Sequence, residues 1–161
     1  MKRLVVALTL LFLPAVVTAA ELKPFGRGSW QELRQQHAGR PLVVHLWSLT
    51  CAPCLAELPE WGKVSPGAFD LVMLTTDSLE QESRIERALA RAGLGSVERW
   101  AFDDPFVERL RFEIDRSWRG ELPRTLLIGA DGSVEVLSGA VGTAPVREWL
   151  KRQGGEHGSR H

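Results

Sequence analysis

The run Pro41–Trp47, PLVVHLW, is continuously apolar apart from one histidine, and the only two cysteines of the chain follow it at Cys51 and Cys54. A short apolar run with β-branched residues and no alternation fits a strand buried on both faces. Such a strand needs helices above and below it, so an α/β layer arrangement is the expectation. The cysteines then pose a separate question. Two thiols separated by two residues close almost no loop, so their disulfide restrains the unfolded chain very little. Chemistry explains the spacing better than stapling does. Placed after a buried strand and before a helix, Cys51 stands at a helix N-terminus, where unpaired N–H groups and the helix dipole favour the thiolate. Cys54 lies one turn further on the same face, within reach of a mixed disulfide at Cys51. Pro53 costs little in the first helical turn, where its missing N–H would be unpaired anyway.

The remaining pattern alternates. SWQELRQQHAG from Ser29 reads as a short helix, with Ser29 and Glu32 at capping-box spacing and Gly39 as its stop. A helix from Leu55 to about Lys63 contains Pro59, which should kink it. Phe69–Asp77 is a second buried strand. Ser78–Leu94 is an amphipathic helix with Ile85, Ala88, Leu89 and Ala92 on one face. Val97–Phe102 reads as a short strand, and Asp104–Phe112 as a helix capped by Asp104 with Pro105 in its first turn. Arg124–Gly139 reads as a hairpin turning at Ala130-Asp131-Gly132. Ala144–Arg152 reads as a closing helix with Val146, Trp149 and Leu150 inward, and Gly154–His161 as a disordered polar tail.

Twenty basic residues balance twenty acidic ones, and no block of like charges interrupts the chain. That balance argues against nucleic-acid binding through bulk electrostatics. Residues 1–20 read as a secretory signal peptide: Lys2 and Arg3 lead an apolar run that ends in Thr18-Ala19-Ala20. An uncleaved anchor is the alternative, since a span needs roughly 20 residues and this run is only slightly shorter. The mature domain would occupy residues 21–153 of an exported, periplasmic protein. Exported cysteines normally form stapling disulfides, which makes the tight Cys51–Cys54 pair more telling.

Trp47, Cys51, Pro53, Cys54 and Pro59 together resemble the W-x-x-x-C-x-P-C-x-x-x-x-P pattern of thioredoxin-fold oxidoreductases. ELPRTLLIGADG (Glu121–Gly132) resembles the segment that carries their cis-proline. With Glu57 in CLAELP and the exported context, the chain is most similar to the TlpA/ResA-type periplasmic thiol–disulfide reductases, over about residues 40–152. The resemblance implies a thioredoxin-like fold with a mixed central sheet flanked by helices. It also implies that Pro123 is cis, keeping stray metal off the sulfurs, with Leu122 facing the dithiol and pairing with substrate backbone. Trp47 and Pro53 would join Leu122 in binding substrate. Glu57 is carried over as a carboxylate that accepts the proton of Cys54; an exposed helix carboxylate is the other reading. His45 occupies the strand position where relatives carry aspartate or asparagine. It is either a proton shuttle to Cys54 or a core histidine satisfied by a hydrogen bond. Thr50 departs from the family, many of whose members have tryptophan beside the first cysteine. Trp100 and Trp118 are candidates for the docking groove, though large aromatics are more often core.

Ala52-Pro53 brings neither positive charge nor side-chain donor to Cys51, so the thiolate is stabilised mainly by the helix end. The potential should therefore lie nearer thioredoxin's (about −270 mV) than the strong periplasmic oxidant's (about −120 mV). A protein-disulfide reductase follows, with Cys51 as nucleophile and Cys54 as resolving thiol. No cofactor or metal is expected. The resemblance implies re-reduction by a membrane thiol-electron transporter of the DsbD/CcdA kind. Its implied substrates are disulfide-bearing proteins such as apocytochrome c or copper-site proteins, met by a monomer. Two alternatives stand beside this reading: a disulfide donor or isomerase using the same dithiol, and a copper carrier using Cys51, Cys54 and a histidine among His37, His45, His157 and His161.

Overall fold

A computed structural model describes residues 20–64, 67 and 69–156 of the chain. In order, the elements are β1 (Leu22–Phe25), α1 (Ser29–Gln36), β2 (Leu42–Trp47), α2 (Ala52–Trp61), β3 (Asp70–Ser78), a 3₁₀ turn (Leu79–Gln81), α3 (Glu82–Arg91), β4 (Glu98–Phe102), α4 (Val107–Ile114), β5 (Arg124–Ile128), β6 (Val134–Ser138) and α5 (Ala144–Glu156). All six residues of β2 are buried. The strand lies in the middle of a six-stranded sheet of order β1-β4-β3-β2-β5-β6. β1, β4, β3 and β2 are mutually parallel, while β5 runs antiparallel to β2 and β6 antiparallel to β5. The parallel strands therefore end together, at the edge where β2 delivers the cysteines.

Alternation along the strands divides the core in two. Val43, Trp47, Met73, Ala101 and Leu127 pack with Leu58 and Trp61 of α2, Ile85 and Leu89 of α3, and Val146 and Trp149 of α5. Leu42, Val44, Leu46, Val72, Leu74 and Leu126 pack on the other side with Trp30 and Leu33 of α1 and Leu110 and Ile114 of α4. Pro59 is accommodated inside α2. At the foot of that helix, a Cβ on Gly62 would lie 1.7 Å from the Ala92 carbonyl oxygen, so glycine alone lets the ends of α2 and α3 meet. The hairpin turns at Asp131-Gly132, with Gly132 at φ 85° and the Asp131 side chain accepting from the Ser133 N–H.

Several local expectations are corrected. Ser29 is not an N-cap: Gly28 holds that place, and the Ser29 hydroxyl accepts instead from the Gly26 N–H. Asp104 does not cap α4 either. It closes an Asx turn onto the Phe106 N–H, and the helix starts three residues later than its sequence suggests. Ser78 caps only the 3₁₀ turn that precedes α3. β1 escapes the sequence reading altogether, and α5 continues through Gly154 to Glu156. The signal segment, apart from Ala20, and the last five residues of the expected tail lie outside the described residues. Among the described residues, no helix is long and apolar enough to cross a membrane.

Candidate active site

The chain leaves β2 through Ser48-Leu49-Thr50 and enters α2 with Cys51 as its N-cap, in extended conformation. The Cys51 N–H donates to the Ser48 carbonyl at 3.2 Å, closing the turn. Its sulfur in turn accepts from the Cys54 N–H at 3.2 Å. The Cys54 N–H thus points at Cys51 Sγ, where it favours a negative sulfur. Cys51 and Cys54 are joined as a disulfide with Cα atoms 5.2 Å apart. The two sulfurs are not equivalent. Cys54 is fully buried, whereas Cys51 is partly exposed and flanked by exposed Ala52 and Pro53.

Polar groups lie on the same side of the sheet as α2. His45 is wholly buried opposite Thr125 in the β2–β5 register, and its Nδ1 meets Thr125 Oγ1 at 2.9 Å. Its Nε2 lies 3.8 Å from Glu57 Oε2, and its ring packs on Trp61 with centroids 4.5 Å apart. Burial pushes the His45 pKa down to about 3, so the imidazole is neutral at physiological pH. Glu57, one turn beyond Cys54 on α2, is also buried. Desolvation raises its pKa above the ordinary carboxylate value and the Gly142 N–H, donating at 2.5 Å to Oε1, opposes that rise; nearby Glu60 adds to it, and the Trp61 side chain and Val141 N–H oppose it. His45 Nε2 and Trp47 Nε1 are buried without a hydrogen-bond partner.

The second wall is the loop before β5. The Leu122–Pro123 bond is cis, Pro123 is buried, and half-buried Leu122 packs against both halves of the core. Arg124, itself buried, fastens this loop. Its guanidinium donates to Asp115, to Glu121 Oε1 at 2.6 Å and to Ser138 Oγ at 2.9 Å. The Trp118 indole N–H donates to the Glu121 carbonyl at 2.8 Å.

No protein-family model matches this sequence, and no curated protein matches it. Solved structures do. A secreted disulfide oxidoreductase of Mycobacterium tuberculosis homologous to E. coli DsbE superimposes with a TM-score of 0.56 at 19% identity, over 75% of this chain and 85% of that one. A thiol:disulfide interchange protein of the thioredoxin family from Chlorobium tepidum gives 0.58 at 21% identity, over 74% and 83%. StoA from Bacillus subtilis gives 0.51 at 18% identity, over 70% and 83%. This chain has the thioredoxin fold.

Within the thioredoxin fold, Cys51, Cys54, His45 and Glu57 gather at the C-terminal end of β2 and the start of α2, with Pro53 on the surface. Trp47 needs correction as a substrate-binding residue: it is fully buried in the core and has no surface to offer a docked protein. Trp100 and Trp118 are likewise core, on the α1–α4 side. His37 belongs to neither wall. It sits at the opposite end of the sheet, with Nδ1 2.8 Å from Asp70 and Nε2 3.1 Å from Glu98. Among the described residues, no three His, Cys, Asp or Glu side chains are gathered to hold a metal ion. Sequence reasoning missed Asp77, a buried carboxylate that accepts from the Leu49 N–H at 2.7 Å and the Ser48 hydroxyl at 3.0 Å. Its only sequence signal is its place near the end of an apolar strand.

Proposed function

We propose that this chain is an exported protein-disulfide reductase of the TlpA/ResA type. The observation that carries this reading is the asymmetry of the pair: Cys51 is partly exposed and N-capping, while Cys54 is sealed behind it. In the reduced protein, the Cys51 thiolate attacks one sulfur of a substrate disulfide and expels the other as a thiolate. Cys54 then gives up its proton and attacks Cys51 Sγ, which expels the second substrate thiolate. The substrate gains two electrons and the Cys51–Cys54 disulfide forms, the state present here. Glu57, one turn from Cys54 and with a raised pKa, is the acceptor suited to that proton. His45 stays neutral and serves as its polar neighbour rather than as a charged shuttle.

The half-buried Leu122, next to the cis bond, is where substrate backbone would lie. Apocytochrome c or copper-site proteins are the proposed substrates, and a membrane thiol-electron transporter of the DsbD/CcdA kind the proposed electron source. A disulfide donor would use the same atoms in reverse. Equilibration of the domain with redox buffers separates the two directions. A potential near or below about −220 mV fits the reductase, and one near −120 mV would refute it in favour of the donor. Insulin reduction should vanish in Cys51→Ser. Glu57→Gln should slow resolution about 100-fold and let the mixed disulfide accumulate.

A further inference from the structure

Thr75, Asp77, Ser48 and Thr50 form one hydrogen-bonded chain ending beside Cys51, and its donor directions are fixed by proton count. The Ser48 hydroxyl has a single proton, which goes to Asp77 Oδ1 at 3.0 Å. Ser48 Oγ must therefore accept in its other contacts: from the Thr50 N–H at 3.2 Å, and from the Thr50 hydroxyl at 3.0 Å. Asp77 Oδ2 collects the Thr75 hydroxyl at 2.6 Å and the Leu49 N–H at 2.7 Å. The Asp77 N–H, in turn, donates back to Thr75 Oγ1 at 3.2 Å. One carboxylate on β3 thereby holds Leu49 directly and Ser48 and Thr50 through the serine hydroxyl. Ser48 is also the residue whose carbonyl accepts the Cys51 N–H.

We propose that Asp77 is a positioning residue for the dithiol. Through Ser48 it fixes the turn that places Cys51 Sγ over the Cys54 N–H, and so sets the thiolate character of Cys51. The proposal rests on the disulfide-exchange reading but concerns a residue that reading does not use. The geometry explains why Asp77 is buried at the end of β3, where the β3–β4 register shifts between Thr75 and Ser78. It also gives Thr50 a job in this chain: its hydroxyl extends the network by one donor. Charge-assisted hydrogen bonds of this kind are stronger than neutral ones, which suits a brace on a three-residue turn. Removal of the brace should hurt the reduced state more than the oxidised one. A disulfide keeps Cys51 near the helix end covalently, whereas a free thiolate depends on the turn to stay there.

The test compares wild type with Asp77→Ala, Asp77→Asn and Ser48→Ala, using reduced protein for alkylation and redox buffers for the potential. In Asp77→Ala and Ser48→Ala, the pH midpoint for Cys51 alkylation should rise by half a unit to one unit. The dithiol–disulfide equilibrium should move threefold to tenfold toward the disulfide, about 15–30 mV. Asp77→Asn keeps one acceptor oxygen and should shift less, in the same direction. Unchanged midpoint and potential in both alanine variants would overturn the proposal. So would a downward midpoint in Asp77→Asn, the sign expected if the carboxylate acted only by its charge. Should Asp77→Ala fail to fold, Ser48→Ala removes a single hydroxyl and decides the matter alone. If wild type fails to reduce insulin, the reductase reading falls, while midpoint and potential still report on the brace.

Discussion

The turn before Cys51 is fastened by a carboxylate that collects donors; the loop before Pro123 is fastened by a guanidinium that collects acceptors. Asp77 binds only neutral partners, two hydroxyls and a backbone N–H. Arg124 binds two carboxylates and two serine hydroxyls. The contrast matches what each loop carries. The turn that carries the dithiol is held without an ion pair, whereas the loop that carries Pro123 rests on two.

The strongest way to break the comparison is Arg124→Met. It takes the shared cation from half-buried Asp115 and exposed Glu121 and removes the charged hydrogen bonds that fasten the loop, and should cost about 3 kcal/mol in urea unfolding. Burial works against ionisation of Asp115, but the Arg124 and Ser117 hydrogen bonds outweigh it and hold its carboxyl below the usual range. Its stabilising contribution is therefore present above the unfolded-state pKa and lost as pH falls through the folded one. In Arg124→Met that part of the acid loss should disappear.

His45 sharpens the comparison, because it sits on β2, which feeds one loop, and bonds to Thr125, the neighbour of Arg124. Its folded pKa, about 3, lies below the ordinary 6.5. Its contribution is thus complete above pH 6.5 and drains as pH falls toward 3. Between pH 6.5 and 4 the protein should lose about 3 kcal/mol on this account, and His45→Gln should flatten that limb of the stability curve. The smallest effect belongs to Glu121→Gln. The Glu121 side chain is 48% exposed, and its pair should be worth less than about 0.5 kcal/mol in a double-mutant cycle with Arg124.

Much of this site was legible in the chain because its signals are local. An unbroken apolar run, two cysteines with proline between them, and an Asp-Gly turn each act within ten residues. The parts that were not legible depend on distant partners. Asp77 finds Ser48 twenty-nine residues away, and nothing around LTTDS marks that aspartate as a brace. β1 is only four residues long and contains a proline. It is a strand because β4 offers it an edge. Ser29 and Asp104 carry capping chemistry, but neighbouring Gly26 and Phe106 N–H groups claim their oxygens first. Trp47 matched a motif, and the motif did not reveal that the ring points into the core.

The alternation of β2 has a further consequence. Val43, His45 and Trp47 face α2, while Leu42, Val44 and Leu46 face α1, so the polar seat of the dithiol and both cores share one reading frame. Changes of side chain can be absorbed on either side separately. A change of length cannot: one residue inserted ahead of His45 would turn the imidazole toward Leu33 and send a leucine or valine beneath the sulfurs. Descendants of this chain are free to vary in spelling along β2, but not in the number of letters.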